Sequence, residues 1–170
     1  MSGIATLTNK YQKVLDKYGV KITDTRKTTP CFRLFEKYSV MVGGATPHRF
    51  NLADCVMIKD NHISYAGSIT NAVEKIRGCI SHTHKIEVEC ESLEQVKEAL
   101  ACKADIIMLD NMSNEMMTEA VKIIDKQAIV EASGNVTYER LEEIAKTGVD
   151  IISTSAIVAG AETLDLSLKA

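Results

Sequence analysis

The stretch KIEVECESLEQVKEALACKADIIMLDN, residues 85–111, decides the fold. It opens on a β-like run, Lys85–Glu89, and closes on a second, Asp105–Leu109. Between them Ser92 and Gln95 form an S-x-x-Q capping box, and the helix behind it buries Leu93, Val96 and Leu100. Strand, helix and strand at this spacing imply parallel pairing through a right-handed crossover.

The same alternation runs outward in both directions. Upstream, Tyr11, Val14, Leu15 and Tyr18 share one face of a helix over Ile4–Tyr18, which Gly19 stops. A strand follows at Val20–Asp24, and Pro30 starts a helix reaching Val42, ended by Gly43 and Gly44. Cys55–Ile58 is a strand and Ile69–Arg77 a helix, with His62 of KDNH in a loop between them. Downstream, a helix carries Met116, Met117, Ala120, Val121 and Ile124. Strand Ala128–Glu131, a helix with Leu141, Ile144 and Ala145 that stops at Gly148, and strand Asp150–Ser153 complete the series. The tail TLDLSLKA reads as one further extended segment. Two folds satisfy six such strands, a doubly wound sheet and a (β/α) barrel. There is no G-x-G-x-x-G after the first strand and no Walker loop, so the usual nucleotide signals of a doubly wound sheet are missing.

The composition narrows the function. A chain of 170 residues with 45% hydrophobic residues suits one folded domain. A net charge of −3 argues against a general binder of nucleic acid or membrane surfaces. The apolar runs are too short to span a bilayer, and no signal-peptide pattern opens the chain. The cysteine count, 5, is odd and no pair has C-x-x-C spacing, which predicts reduced core thiols in a cytoplasmic protein.

Charged and hydroxyl residues gather where the strands end. Thr25, Arg26 and Lys27 follow the first strand, and Lys59 and Asp60 the second. Glu87 and Glu89 lie in and at the end of the third, and Asp110 and Asn111 close the fourth. Glu131 and Ser133 close the fifth, and Ser153, Thr154 and Ser155 the sixth. In α/β folds the C-terminal edge of the sheet is where sites assemble. Arg26, Lys27, Arg49 and Lys59 suit carboxylate or phosphate groups. Glu89 and Asp110 would repel each other unless a cation lay between them, and Mg²⁺ fits. The EASGN loop, Glu131–Asn135, offers free backbone N–H groups suited to a phosphate. His48 beside Arg49 is placed to join this pocket, whereas His82 and His84 read as surface residues and Glu87 as a pairing or salt-bridge residue.

Taken in order, SGIATLT (Ser2–Thr8), DTRKTTP (Asp24–Pro30), GGATPHRFNLADCVMIKDNHI (Gly43–Ile63), IEVECESLEQ, IMLDNM, EASGNV and LDLSLK resemble the quinolinate phosphoribosyltransferase family. The resemblance implies an α/β fold, an open six-stranded parallel (β/α) barrel of TIM-like kind, over residues 1–157, with a tail strand at 158–170. It implies that quinolinate takes a phosphoribosyl group from phosphoribosyl pyrophosphate and loses carbon dioxide, giving nicotinate mononucleotide for NAD biosynthesis. Thr25, Arg26, His48, Arg49 and Lys59 would hold the quinolinate carboxylates. Lys27 and Lys59 would face the phosphoribosyl pyrophosphate, and Glu89 and Asp110 the ribose and Mg²⁺. Ser133, Gly134, Asn135 and the turn Ser153, Thr154, Ser155 would hold the 5′-phosphate. The last loop departs from the family pattern: STSAIVAG replaces a stretch like V-G-A-L-T-H, and Ala159 stands at the histidine.

The family also carries an N-terminal domain ahead of SGIATLT that completes a neighbouring site in a homodimer. The expectation is therefore a chain without that domain and with reduced turnover or none. A related phosphoribosyltransferase acting on another ring and a non-catalytic barrel fragment are the alternatives.

Overall fold

Strand order separates the two folds that the residue patterns leave open. In the computed structural model, which describes residues 1–169, six parallel strands lie in the order β1-β6-β5-β4-β3-β2. They are β1 (Lys21–Thr23), β2 (Val56–Ile58), β3 (Ile86–Cys90), β4 (Ile106–Asp110), β5 (Ile129–Ser133) and β6 (Ile151–Ser153). From β3 to β6 each strand pairs with its predecessor, and β1 returns to pair with β6. A doubly wound sheet reverses direction at a switch point, and this order has no reversal. The order is that of a barrel with one unpaired seam, between β1 and β2. A single parallel bridge, Thr23 to Thr46, reaches into that seam.

The helices are α1 (Ser2–Leu15), α2 (Arg33–Val42), α3 (Asp60–Ala66), α4 (Ile69–Arg77), α5 (Leu93–Ala101), α6 (Asn114–Ile124), α7 (Leu141–Lys146) and α8 (Ala156–Ala159). Alternation along the strands sorts the two faces of the sheet. Val88, Cys90, Ile107, Leu109, Val130, Ala132 and Ile152 are buried in one core with Val96, Ala99, Met117, Ala120 and Leu141 of the surrounding helices. The other residues of each strand, such as Glu87, Glu89, Met108, Glu131 and Ser133, face inward. A parallel strand is ordinarily apolar throughout, so the alternating glutamates of β3 mark a barrel interior.

The seam needs its own solution, because β1 has a free edge there. Gln12 of α1 supplies it. Its amide donates to the Val20 carbonyl at 3.0 Å and accepts the Ile22 N–H at 2.9 Å, replacing the missing ladder partner. Gly43 lets α1 and α2 approach, since a Cβ there would lie 2.6 Å from that of Thr8.

Several sequence expectations are corrected. The helix expected from Pro30 begins at Arg33, because Cys31 takes a left-handed φ of 63° and breaks the first turn. His62 lies in helix α3, not in a loop, and its Nδ1 accepts the Lys59 N–H at 3.0 Å. The fifth strand does not end at Glu131 but continues to Ser133, held by pairing with Asp110. Gln95 reaches the N–H of Glu91, at 2.6 Å, rather than that of Ser92, while Ser92 Oγ accepts the Gln95 N–H as expected. The tail strand expected at 158–170 is not formed. The helix α8 occupies its start and residues 161–169 carry no regular secondary structure, while Ala170 lies outside the described residues. A strand needs a partner edge, and Gln12 and Thr46 already occupy the free edge of β1.

Candidate active site

A cleft of about 620 Å³ opens at the C-terminal ends of the strands. It is lined by Thr25, Arg26, Lys27, His48, Arg49, Lys59, Glu89, Asp110, Ser133, Gly134, Asn135, Ser153, Thr154 and Ser155. The structure thus brings every site residue expected from the sequence to one place. Asn111 also lines it, and Met57, Met108 and Val136 give it apolar surface.

Helix α2 positions the two cationic loops. Lys37 and Asp24 are fully buried, with Nζ 2.8 Å from both carboxylate oxygens. Lys37 also donates to the His48 carbonyl at 2.9 Å, and Asp24 accepts the His48 N–H at 2.8 Å. Arg33 donates to Thr28 Oγ1, the Phe50 carbonyl and the Arg26 carbonyl, at 3.1, 3.0 and 3.3 Å. Glu36 accepts the Thr29 N–H at 3.0 Å. One face of a helix therefore fixes both the RKTTP loop and the His48–Arg49 loop. Arg26 Nε is buried and finds no hydrogen-bond partner among the described residues. An unsatisfied guanidinium edge in a cleft is suited to an anion. Arg49 is braced by the Cys55 carbonyl at 3.1 Å and by Met57 Sδ at 3.3 Å.

Beneath the cleft the salt-bridge reading of Glu87 is met by His48, in a trio with Glu131 that the residue pattern does not group. His48 Nε2 is 3.4 Å from Glu131 and 3.6 Å from Glu87, and both glutamates are almost fully buried. Burial pulls the His48 pKa down, but Glu131 and Glu87 outweigh it and raise it from 6.5 to about 9. Burial also raises Glu87, against the influence of His48. Both shifts are upward and favour a proton held between His48 and Glu87. The Arg49 N–H points at His48 Nδ1 across 2.8 Å, which leaves Nε2 to carry a hydrogen toward the two acids. The three donors lie within 4.8 Å of one another. An Nε2–H offers a metal no lone pair, so the trio fits a proton rather than an ion. Its signal in the sequence is the first glutamate of IEVEC, Glu87, two residues before Glu89 and on the same strand face.

Glu89 and Asp110 stand on neighbouring strands. Glu89 is ion-paired with Lys59, and one oxygen of Asp110 accepts from the Asn111 side chain at 2.7 Å. The other oxygen of each carboxylate has no hydrogen-bond partner among the described residues, and hard oxygen donors on the cleft wall fit Mg²⁺. Asn111 in turn accepts from Asn135 Nδ2 at 2.9 Å, and Arg140 donates to the Asn135 carbonyl at 2.9 Å. Gly134, at φ 87°, permits this packing: a Cβ would lie 2.3 Å from Asn111 Oδ1. Ser153 and Thr154 are buried, and their hydroxyls turn to the Ala132 and Val136 carbonyls at 3.5 and 3.4 Å. Burial pushes the thiols of Cys55 and Cys90 up to about 11 and about 12, so neither is a thiolate nucleophile near neutral pH.

Comparison with known proteins gives this cleft a lineage. The family described as "Quinolinate phosphoribosyl transferase, C-terminal domain" matches residues 4–169. A probable nicotinate-nucleotide pyrophosphorylase [carboxylating] of Synechocystis sp. is 50% identical over 173 residues, covering 99% of this chain and 58% of that protein. The human nicotinate-nucleotide pyrophosphorylase [carboxylating] is 41% identical over 151 residues, covering 87% of this chain and 51% of its own length. Among solved structures, NadC from Streptococcus pyogenes superposes with a TM-score of 0.94 at 43% identity, covering 99% of this chain and 59% of that one. The nicotinate-nucleotide pyrophosphorylase from Francisella tularensis gives 0.94 at 46% identity, covering 98% and 59%. The chain thus spans between 51% and 59% of the length of these relatives. By this match over nearly its whole length, the chain belongs to the quinolinate phosphoribosyltransferase C-terminal domain family.

Proposed function

We propose that this cleft transfers a phosphoribosyl group from phosphoribosyl pyrophosphate to quinolinate with loss of carbon dioxide, giving nicotinate mononucleotide and pyrophosphate. The observation that carries the reading is convergence. Arg26, Lys27, His48, Arg49 and Lys59 meet Glu89 and Asp110 in one cleft at the ends of parallel strands. A dianionic ring and a polyphosphate need such a set of cations, and a ribosyl transfer needs carboxylates beside them.

Thr25, Arg26, His48, Arg49 and Lys59 hold the two carboxylates and aim the ring nitrogen at the ribose C1. Lys27 and Lys59 meet the phosphoribosyl pyrophosphate, and the Ser133–Asn135 and Ser153–Ser155 turns receive the 5′-phosphate. At the latter turn the contact comes from Ser155, since the Ser153 and Thr154 hydroxyls and the Thr154 N–H are engaged. The ring nitrogen attacks C1 as the bond to pyrophosphate breaks. Positive charge develops on the ribose, and Glu89 and Asp110 stabilise it. Those two residues would also hold Mg²⁺, which when bound neutralises charge on the pyrophosphate. The carbon–carboxylate bond then breaks, and the N-ribosylated ring accepts the electron pair until a proton replaces it.

The exposed apolar stripe of α2, with Leu34, Phe35, Tyr38, Met41 and Val42, supports a homodimeric or larger assembly. No described helix is long and apolar enough to cross a membrane, and the described cysteines are free, which supports a cytoplasmic setting. The test is incubation of the chain with quinolinate, phosphoribosyl pyrophosphate and Mg²⁺, alone and with the family's N-terminal domain added in trans. Nicotinate mononucleotide from either mixture, and preference for quinolinate over nicotinate in calorimetry, are expected. Equal affinity for the monocarboxylate would contradict the reading.

A further inference from the structure

Lys59 is a cleft cation, yet it is committed to Glu89, itself a cleft acid. The lysine sits immediately before α3, with its backbone N–H fixed by His62 and its side chain 42% exposed, whereas the Glu89 side chain is only 12% exposed. The mobile partner is therefore the ammonium and the fixed one is the carboxylate. Asp110 lies on the adjacent strand, two residues beyond the register partner of Glu89, on the same inward face. With Lys59 in place the acid pair carries one net negative charge instead of two. A divalent cation approaching Glu89 must first displace the ammonium.

We infer that Lys59 is a switch coupling the two halves of the site: a dicarboxylate entering the cleft draws Lys59 off Glu89, and only then is the acid pair free to hold a divalent cation. The inference rests on the proposed reading of the cleft. By linkage, the dicarboxylate and the cation then strengthen each other's binding by the same factor. The arrangement also has a chemical purpose. A Glu89 neutralised by Lys59 stabilises a ribosyl cation poorly, so the phosphoribosyl donor is protected from water until the acceptor ring is present.

The probe is Mn²⁺, followed by the electron paramagnetic resonance signal of the free ion, titrated into the chain with and without saturating quinolinate. Coupling of at least about fivefold in Mn²⁺ affinity is expected for the unaltered chain. In Lys59→Met, Mn²⁺ should bind without quinolinate as tightly as it binds the unaltered chain with it, and quinolinate should add nothing further. Glu89→Gln should weaken Mn²⁺ binding under both conditions while the chain stays folded by circular dichroism. Binding of both ligands to the unaltered chain without mutual effect would overturn the switch and leave the cleft reading standing. Coupling that persists in Lys59→Met would also overturn it. Binding of neither ligand would overturn both.

Discussion

Lys37 and Asp24 face each other with no exposed side-chain surface, Nζ lying 2.8 Å from each carboxylate oxygen. The pair spans α2 and the loop after β1, and both partners also grip the backbone of His48. Removing one partner leaves the other charge buried and uncompensated, which typically costs about 3–5 kcal/mol. Lys37→Met is expected to lower stability by that amount in urea denaturation and to weaken quinolinate binding through the freed His48 loop. Adding Asp24→Asn in the same chain should recover much of the stability. Full stability of Lys37→Met alone would show that the pair is dispensable.

Arg26 presents a buried Nε with no partner among the described residues, and its carbonyl is held by Arg33. Arg26→Ala is expected to weaken quinolinate binding by roughly 1.5–3 kcal/mol, the scale of a charge-assisted contact. The unfolding midpoint should be almost unchanged. Calorimetry and thermal denaturation on the same sample check this, and a variant that mainly unfolds would assign Arg26 a structural role.

The trio of His48, Glu87 and Glu131 predicts the response to alkali. Both cited shifts are upward, so the folded chain holds the shared proton more tightly than the unfolded chain does. That stabilisation is complete below about 6.5 and is lost as pH rises through about 9. Stability measured in denaturant at pH 6, 7.5 and 9 should fall across the series. Glu87→Gln removes one of the two competing carboxylates and should flatten the fall. A flat profile in the unaltered chain would contradict the shared-proton account.

Gly134 holds a φ of 87° beneath the Asn111 side chain. Gly134→Ala adds a methyl that forces Asn111 aside and places a side chain in a left-handed conformation, a strain of roughly 1–3 kcal/mol. Through Asn111 the disturbance reaches Asp110. Affinity for phosphoribosyl pyrophosphate with Mg²⁺ should fall while that for quinolinate is kept. Equal loss of both, or of neither, in paired titrations would refute the local role of this turn.

The βα alternation was legible because each strand is a short apolar run and each helix shows three- and four-residue spacing. Ile69–Arg77 matches the observed helix in both of its ends. The cleft edge of the sheet was legible for a different reason: strand-end polar groups need no knowledge of tertiary packing to be noticed. What stayed hidden depends on contacts distant in sequence. The Gln12 bridge to β1 is a glutamine on a helix like any other until the seam exists. The burial of Lys37 has no local signal, because its partner Asp24 is 13 residues away in a loop. The burial of Glu131 follows from a barrel interior, which local periodicity does not encode. The α3 helix was missed because DNHISYA is short and its cap is the backbone N–H of a lysine received by a histidine ring.

The most direct measurement is a crystal structure of the chain soaked with quinolinate. The account predicts the two ring carboxylates between Arg26, His48, Arg49 and Lys59, with Lys59 moved away from Glu89. Quinolinate bound elsewhere on the molecule, or in the cleft with its carboxylates turned from these cations, would contradict it.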